Sequence, residues 1–247
     1  MNKMTIFIIP HAGGSSAYYS RFKLYHDDYL EFIPIELSGK GKRIGEKEYH
    51  SFQELVFDVY TIISRHMQSK ECDIAVWGHS MGGIIAYEVM KLLERRYLNR
   101  TKLLIVSGCD TPENLNISHS FEVKDVERIR ADLIQREWIP EPITSDNKTF
   151  DFFINILLND LRLLSDYKYE DADKQLNVPI VLINGSNDTF VKHKESDWDL
   201  YTKGVVYYHI FEGGHFFMDA NFNGIVKCII QHCRARRSPD ISLQMAT

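Results

Sequence analysis

Short apolar runs rich in β-branched residues alternate along the chain with longer stretches in which apolar residues recur every three or four positions. The apolar runs predict strands over 5–9, 30–35, 73–77, 102–107, 178–183 and 205–211. The three-and-four spacing predicts helices over 51–68, 82–96 and 219–233. Near-continuous apolar strands between helices are typical of a mainly parallel sheet covered on both faces. The pattern therefore predicts a doubly wound α/β fold whose functional groups gather at the carboxyl ends of the strands.

One segment, 119–173, interrupts this alternation because it shows two helical stretches and no strand pattern. The second stretch, "FDFFINILLNDLRLLSDY" (150–167), is apolar on more than one face, so it has to be covered on more than one side. An ordinary crossover connection would account for one helix but not for two. We therefore predict that 119–173 form a helical lid, with Phe152 and Phe153 on its substrate side; a helix packed permanently on both sides is the alternative.

Composition narrows the class of protein. With 247 residues, 44% of them hydrophobic and 26% charged, the chain fits a single globular domain over 1–247. The formal net charge of −5 does not favour binding to nucleic acid. The four cysteines are scattered without a CxxC pair, so the sequence predicts neither a disulfide framework nor a metal site.

The two ends of the chain suggest a cytoplasmic protein without a membrane partner, and we expect a monomer. The N-terminal apolar run "MTIFII" stops at Pro10 and is too short for the core of a signal peptide. No stretch approaches the length of a membrane span. The cluster "RARR" (234–237) lies in a polar stretch, so we predict a flexible, solvated tail over 234–247.

The clearest chemical signal is Gly78-His79-Ser80-Met81-Gly82, which fits the pattern G-x-S-x-G. The pattern alone is weak, but here it follows the strand "DIAVW" and opens the helix "GGIIAYEVMKLLE", as a nucleophile elbow requires. We therefore predict that Ser80 is a nucleophile and that the Met81 N–H, at the helix N-terminus, faces a developing oxyanion. The alternative, Ser80 as a plain helix N-cap, would need no flanking glycines.

A serine nucleophile needs a histidine base and an acid that orients it, in the order Ser, Asp or Glu, His for this type of sheet. Of ten histidines, His215 in "FEGGHFF" is the one placed just past a late strand with glycines before it. Two aspartates follow strands and could be the acid: Asp188 in "VLINGSNDTF" and Asp110 in "LIVSGCDTP". We favour Asp188, because its strand is next to the strand that precedes His215, and keep Asp110 as the alternative.

The first predicted strand ends in "PHAGGSSAYY", where a glycine pair lets backbone N–H groups face the nucleophile. We expect Ala12 to supply the second oxyanion donor, with Gly13 as second choice. A dinucleotide-binding loop is excluded, because the stretch lacks G-x-G-x-x-G and a suitably placed acid on the second strand.

Taken in order, these motifs resemble those of the type II (external) thioesterases that accompany non-ribosomal peptide and polyketide synthases. The resemblance covers nearly the whole chain and rests on "PHAGGSSAYY", "IELSGKGKRIGE", "WGHSMGG", "SGCDTP", "NDLRLLSDYKY", "INGSNDTFV", "SDWDLYT" and "FEGGHFFM". It implies an α/β-hydrolase fold and triad roles for Ser80, Asp188 and His215. It also implies hydrolysis of misprimed or stalled acyl or aminoacyl thioesters on the phosphopantetheine arm of partner carrier domains, without a metal or cofactor of the enzyme's own.

The chain departs from the family pattern in one loop, where Ser38 and Lys40 replace the usual proline and arginine. Losing proline removes a preset backbone angle, and lysine cannot make the bidentate contacts of arginine. We therefore expect the replacements to affect the rigidity of the loop or the docking of the carrier, and not the chemistry.

Other functions remain open at this point. The same serine chemistry permits a small-ester hydrolase, a product-releasing thioesterase or an acyltransferase, and the fold alone does not choose among them. A hydrolase-like binding module is disfavoured, because the serine, the candidate acids and the histidine are all present.

Overall fold

The computed structural model describes residues 3–25, 27–115, 131, 147–170, 175–192 and 195–236. Most of the first half of the predicted lid, together with 171–173, lies outside the described residues. Within the described part of the chain, no helix is long and apolar enough to span a membrane.

Six parallel strands form one sheet in the order β2-β1-β3-β4-β5-β6. The strands are β1 Met4–Ile9, β2 Leu30–Pro34, β3 Asp73–His79, β4 Thr101–Ser107, β5 Ile180–Gly185 and β6 Val206–Phe211. This confirms the predicted α/β fold, with every predicted strand within two residues of its observed bounds. The strand β5 begins after Pro179, whose missing N–H cannot join the ladder.

Five α-helices accompany the sheet in the described residues. They are α1 Ser20–Lys23, α2 Phe52–Ser69, α3 Met81–Tyr97, α4 Asn147–Ser165 and α5 Phe222–Arg234. The helix α2 begins where its pattern predicts because Ser51 caps it: the Ser51 hydroxyl accepts the Glu54 N–H at 3.1 Å. The sequence did not predict α1, which is a single turn, and α5 starts at Phe222 rather than at 219, while the other predicted helices in the described residues agree with the structure to within three residues.

Both faces of the sheet are covered, because successive strand residues point to opposite sides. In β1, Phe7 and Ile9 belong to the apolar cluster under α2 and α3. Ile6 and Ile8, on the other face, belong to the cluster that includes residues of α1 and α5. The prediction of a doubly wound sheet is thus confirmed.

The helix α4, the described part of the predicted lid, has more than one apolar face in contact, as its sequence requires. Phe150, Ile154, Leu157 and Leu161 are buried together and pack against Ala12. One turn further, Leu163 and Leu164 join the cluster beneath α2 and α3.

The C-terminal prediction needs a correction at its start. The helix α5 continues to Arg234, and the Arg234 guanidinium donates to the Asp27 carboxylate at 2.8 Å. The first residues of the predicted tail therefore belong to the folded domain, since a helix end and an ion pair hold them. Residues 237–247 lie outside the described residues.

Candidate active site

Ser80 occupies a sharp turn between the end of β3 and the first residue of α3. Its backbone angles are φ 55° and ψ −123°, and it is the only non-glycine residue with positive φ in the described part of the chain. Such a conformation is strained and persists only when its surroundings impose it. The Ser80 side chain makes no cap hydrogen bond. Ser80 is half-buried, and its backbone geometry is that of a nucleophile elbow and not that of an N-cap whose side chain bonds the helix.

The two glycines of the motif have a steric reason. A β-carbon on Gly78 would collide with the Gly82 carbonyl oxygen, and one on Gly82 would collide with the Ile9 carbonyl oxygen. The start of α3 thus lies directly against the ends of β3 and β1. Only glycine at both positions allows this approach, which explains the G-x-S-x-G spacing.

His215 and Asp188 meet at the carboxyl ends of the neighbouring strands β6 and β5. The His215 Nδ1–H donates to Asp188 Oδ2 at 2.8 Å, and both side chains are almost fully buried. The other carboxylate oxygen accepts the Phe190 N–H at 2.9 Å, which fixes the orientation of the acid. His215 and Ser80 line the same cavity. The structure therefore brings together the three residues favoured from sequence.

The alternative acid, Asp110, has a different partner. Its two carboxylate oxygens accept the Lys192 backbone N–H at 3.1 and 3.2 Å, which links the end of β4 to the loop after β5. The structure thus gives Asp110 a contact that joins two loops.

His79 lies beneath the hydrogen-bonded pair of His215 and Asp188. Its ring is fully buried, with its centroid 4.9 Å from that of His215, and its Nδ1 is 3.0 Å from the Ser107 hydroxyl. Burial holds the pKa of His79 well below its usual value, and the neighbouring His215 and His11 lower it further. A lowered pKa favours the neutral ring, which can pack beneath His215 without adding a competing charge.

Gly108, which the sequence analysis did not single out, makes room for this arrangement. It has φ +54°, and a β-carbon there would lie 2.7 Å from His79 Cε1 and 3.2 Å from both Asp188 Oδ2 and His215 Cε1. A glycine directly after the strand β4, in "SGCD", was the signal available in the sequence.

The loop after β1 is held by the helix α4. The Gly13 N–H donates to Asp160 Oδ2 at 2.6 Å, and the Phe153 ring packs against Gly13, whose φ is +76°. The same oxygen of Asp160 accepts a hydrogen bond from the Lys40 ammonium, and both side chains are buried. Gly13 therefore has a partner for its N–H, while Ala12 lines the cavity beside Ser80.

Asp160 and Lys40 are site residues whose contact the sequence did not reveal. Their separation of 120 positions hides the pairing, although both lie in motifs that carry the family resemblance. In this loop the Ser38 N–H donates to the Tyr49 hydroxyl at 2.9 Å, and the Ser38 hydroxyl donates to the Lys47 carbonyl at 2.7 Å. These hydrogen bonds tie Ser38 to Tyr49 and Lys47.

A cavity of about 530 Å³ adjoins the serine and is lined mainly by apolar side chains. One wall comes from α4 and includes Phe152, Phe153 and Ile156. Phe152 and Phe153, predicted to lie on the substrate side, thus both face this space, and Phe152 is 54% exposed. The volume and lining suit an extended apolar chain.

The chain is similar to known proteins in family, in sequence and in structure. The family described as the thioesterase domain matches residues 4–235. Thioesterase PikA5 of Streptomyces venezuelae is 26% identical over 234 residues, 94% of this chain and 82% of that protein. The medium-chain S-acyl fatty acid synthase thioesterase of Rattus norvegicus is 26% identical over 233 residues, 91% of this chain and 87% of that protein. The crystal structure of ClbQ from the colibactin NRPS/PKS pathway has a TM-score of 0.84 and 26% identity, covering 95% of this chain and 98% of that one.

Replacing each aspartate by asparagine should separate the two candidate acids. Asp188→Asn should slow labelling of Ser80 by a fluorophosphonate probe by up to about 10⁴-fold, because an amide stabilises the wrong imidazole tautomer. Asp110→Asn should change the labelling rate far less, since its carboxylate bonds a backbone N–H of another loop. Labelling rates of the two variants, with Ser80→Ala as the unlabelled control, test this; the reverse ranking would make Asp110 the orienting acid.

Proposed function

Because the chain belongs to the thioesterase family, we propose that it hydrolyses acyl or aminoacyl thioesters held on the phosphopantetheine arm of carrier domains in a peptide or polyketide synthase. The observation that carries the proposal is the hydrogen bond from His215 to Asp188 beside an apolar cavity that also contains Ser80. A cavity of this kind suits an acyl chain and not a compact polar substrate.

The geometry supports a two-step mechanism. The Ser80 oxygen attacks the thioester carbonyl, and His215 takes the serine proton through Nε2, since its Nδ1 is engaged by Asp188. The carbon–sulfur bond breaks and the proton passes to the thiol of the arm. Water then attacks the acyl-serine with His215 again as base, releasing the carboxylic acid and restoring the serine. Asp188 keeps the imidazole in the correct tautomer and stabilises its charged form.

Two backbone N–H groups support the oxyanion in this proposal. Met81 is the first residue of α3, so its N–H has no partner within the helix. Ala12 remains the choice for the second donor, because the Gly13 N–H already bonds Asp160. The roles of Ala12 and Gly13 thus separate: the first faces the substrate and the second anchors the loop.

The choice of a carrier-bound substrate rests on the family and its relatives. PikA5 is named a thioesterase, and ClbQ is described as belonging to an NRPS/PKS pathway. The rat relative is named for fatty acid synthase, another system that handles acyl thioesters. We expect the arm and its acyl group to arrive on a partner protein, and the enzyme itself to act as a cytoplasmic monomer.

Hydrolysis of matched substrates tests this function. With one acyl group presented on a phosphopantetheinylated carrier protein, on a short thiol and on a simple oxygen ester, kcat/KM should be highest for the carrier. An advantage on the order of tenfold or more corresponds to about 1.4 kcal/mol of transition-state binding. Ser80→Ala should lower kcat by about 10⁶-fold on each substrate without unfolding the protein. Equal or better turnover of the oxygen ester would instead indicate a small-molecule esterase.

Substitution of two phenylalanines on α4 tests which of them contacts the substrate and which stabilises the fold. Phe152 is 54% exposed and lines the cavity, so Phe152→Ala should shift the preferred acyl-chain length with little loss of stability. Phe150, only 1% exposed, is the matched control on the same helix. Phe150→Ala should cost about 3–5 kcal/mol of unfolding free energy and leave the chain-length preference unchanged. Chain-length series and denaturant unfolding of both variants measure this.

Mobility of the described part of the lid has its own test. We propose that α4 moves when substrate enters, which requires local opening at a lower free energy than global unfolding. Hydrogen exchange should then show weaker protection for backbone amides over 147–165 than for those of β3. Protection as deep as in β3 would make α4 a fixed wall.

The contact of Asp160 with the loop after β1 predicts an effect on turnover. Asp160→Ala removes the acceptor of the Gly13 N–H, so the neighbouring Ala12 N–H should lose its alignment and kcat should fall by about 10²-fold, as for loss of one oxyanion donor. KM should change less, because the cavity walls remain. Asp166→Ala, an exposed substitution just beyond α4, is the control.

A second variant distinguishes the loss of the Gly13 contact from the effect of leaving Lys40 buried without its carboxylate. Lys40→Met combined with Asp160→Asn keeps an acceptor for the Gly13 N–H without a lone buried charge, so it should recover part of the lost kcat. Unchanged kcat in folded Asp160→Ala would show that this contact does not align the oxyanion donors.

A further inference from the structure

Three side chains with metal-ligating atoms converge between the edge strand β6 and the helix α5. They are His209, Cys228 and His232, and one ligand atom from each lies within 4.8 Å of the other two. The two imidazole Nε2 atoms are 2.8 Å apart and face each other. None of the three residues lines the cavity beside Ser80. The cluster is therefore a separate feature of the molecule, which the proposed hydrolysis does not use.

Regular secondary structure sets this arrangement. Cys228 and His232 are four residues apart on α5, so they lie on the same face one turn from each other. His209 lies in β6, which pairs with β5 on one side. Cys228 and His232 are only 8% and 7% exposed, and His209 is half-buried. Two rigid elements thus hold the three donors, which favours a preorganised site over a chance surface grouping.

The donor set selects the class of ion. Two imidazole nitrogens and one thiolate suit Zn²⁺ and related transition ions, whereas Mg²⁺ and Ca²⁺ prefer oxygen ligands. Two nitrogens on one tetrahedral zinc ion lie about 3.3 Å apart, for Zn–N distances of about 2.0–2.1 Å. The two rings would therefore separate by roughly half an ångström to admit the ion.

We propose that His209, Cys228 and His232 bind one Zn²⁺-class ion that links β6 to α5, with water completing the coordination. Both imidazoles bind through Nε2, and the Cys228 thiol releases its proton to solvent as the zinc–sulfur bond forms. No electron is transferred, and the zinc ion stays divalent. The ion joins the edge strand to the last helix and so stabilises the fold, while the chemistry at Ser80 proceeds without it.

The surrounding charge makes the thiolate essential. Arg236 lies over the Tyr207 ring at 5.0 Å, and that ring is 4.5 Å from the His232 ring. The Arg236 guanidinium also donates to the His232 carbonyl at 2.6 Å. This positive charge opposes a dication, so the negative sulfur of Cys228 has to offset it. Cys228→Ser should therefore weaken binding at least as much as loss of one histidine.

The test uses the full chain without an affinity tag, stripped with a chelator and titrated with Zn²⁺ by calorimetry. We expect one equivalent of Zn²⁺ per chain and no binding of Mg²⁺. Replacing zinc by Co²⁺ should give a thiolate-to-cobalt charge-transfer band in the near ultraviolet. His209→Ala, His232→Ala and Cys228→Ser should each lose stoichiometric binding. Cys233→Ala, at a fully buried cysteine on the same helix, is the matched control and should keep it.

Thermal unfolding gives an independent result. Zn²⁺ should raise the melting temperature of the wild type and of Cys233→Ala, and leave that of the three ligand variants unchanged. Thioester hydrolysis should be the same before and after chelation. Substoichiometric zinc binding, absence of the cobalt charge-transfer band in the wild type, or stoichiometric binding that persists in the ligand variants would each overturn the site and leave only a hydrogen bond between two histidines.

Discussion

The turn between β3 and α3 depends on one steric constraint: no side chain can stand between the end of β3, the start of α3 and the end of β1. Gly78 and Gly82 meet this constraint, since a β-carbon on either would collide with a backbone carbonyl oxygen. The parallel pairing of β1 with β3 holds these backbones in place. The surrounding sheet can thus maintain the strained conformation of Ser80 and leave its side chain without a cap contact. His215 and the loop after β1 line the same cavity as Ser80.

Sheet topology then brings the remaining groups to the same edge. In a parallel sheet, the segments after β4, β5 and β6 all emerge at the carboxyl ends of their strands. Because β5 and β6 are neighbours, Asp188 and His215 meet although 27 positions separate them. The ring of His79, whose pKa burial lowers, fills the space beneath them, and Gly108 leaves room for all three side chains. At this edge of the sheet, the packing of the three side chains and the lowered pKa of His79 therefore favour the same arrangement.

One buried carboxylate connects the cavity wall formed by α4 with the loop after β1. The helix α4 presents Phe152 and Phe153 to the cavity and, two turns on, places Asp160 against the Gly13 N–H and the Lys40 ammonium. A movement of α4 would change the shape of the cavity and the support of the loop together. Enzymes often use a closing element in this way, to complete the site only when substrate is in place.

Features that depend on neighbouring residues could be predicted from the sequence: the strand and helix periods, the glycine-flanked serine, and the histidine that follows β6. These features repeat over short distances, so pattern and turn chemistry are enough to find them. The partner of each aspartate is visible only in the tertiary structure, where Asp188 accepts a hydrogen bond from His215 and Asp110 accepts one from the Lys192 backbone N–H. The partnership of Asp160 with Lys40, and the convergence of a strand histidine with two residues of α5, were likewise hidden. Such contacts join distant parts of the chain, and packing of whole elements, which no local pattern records, brings them together.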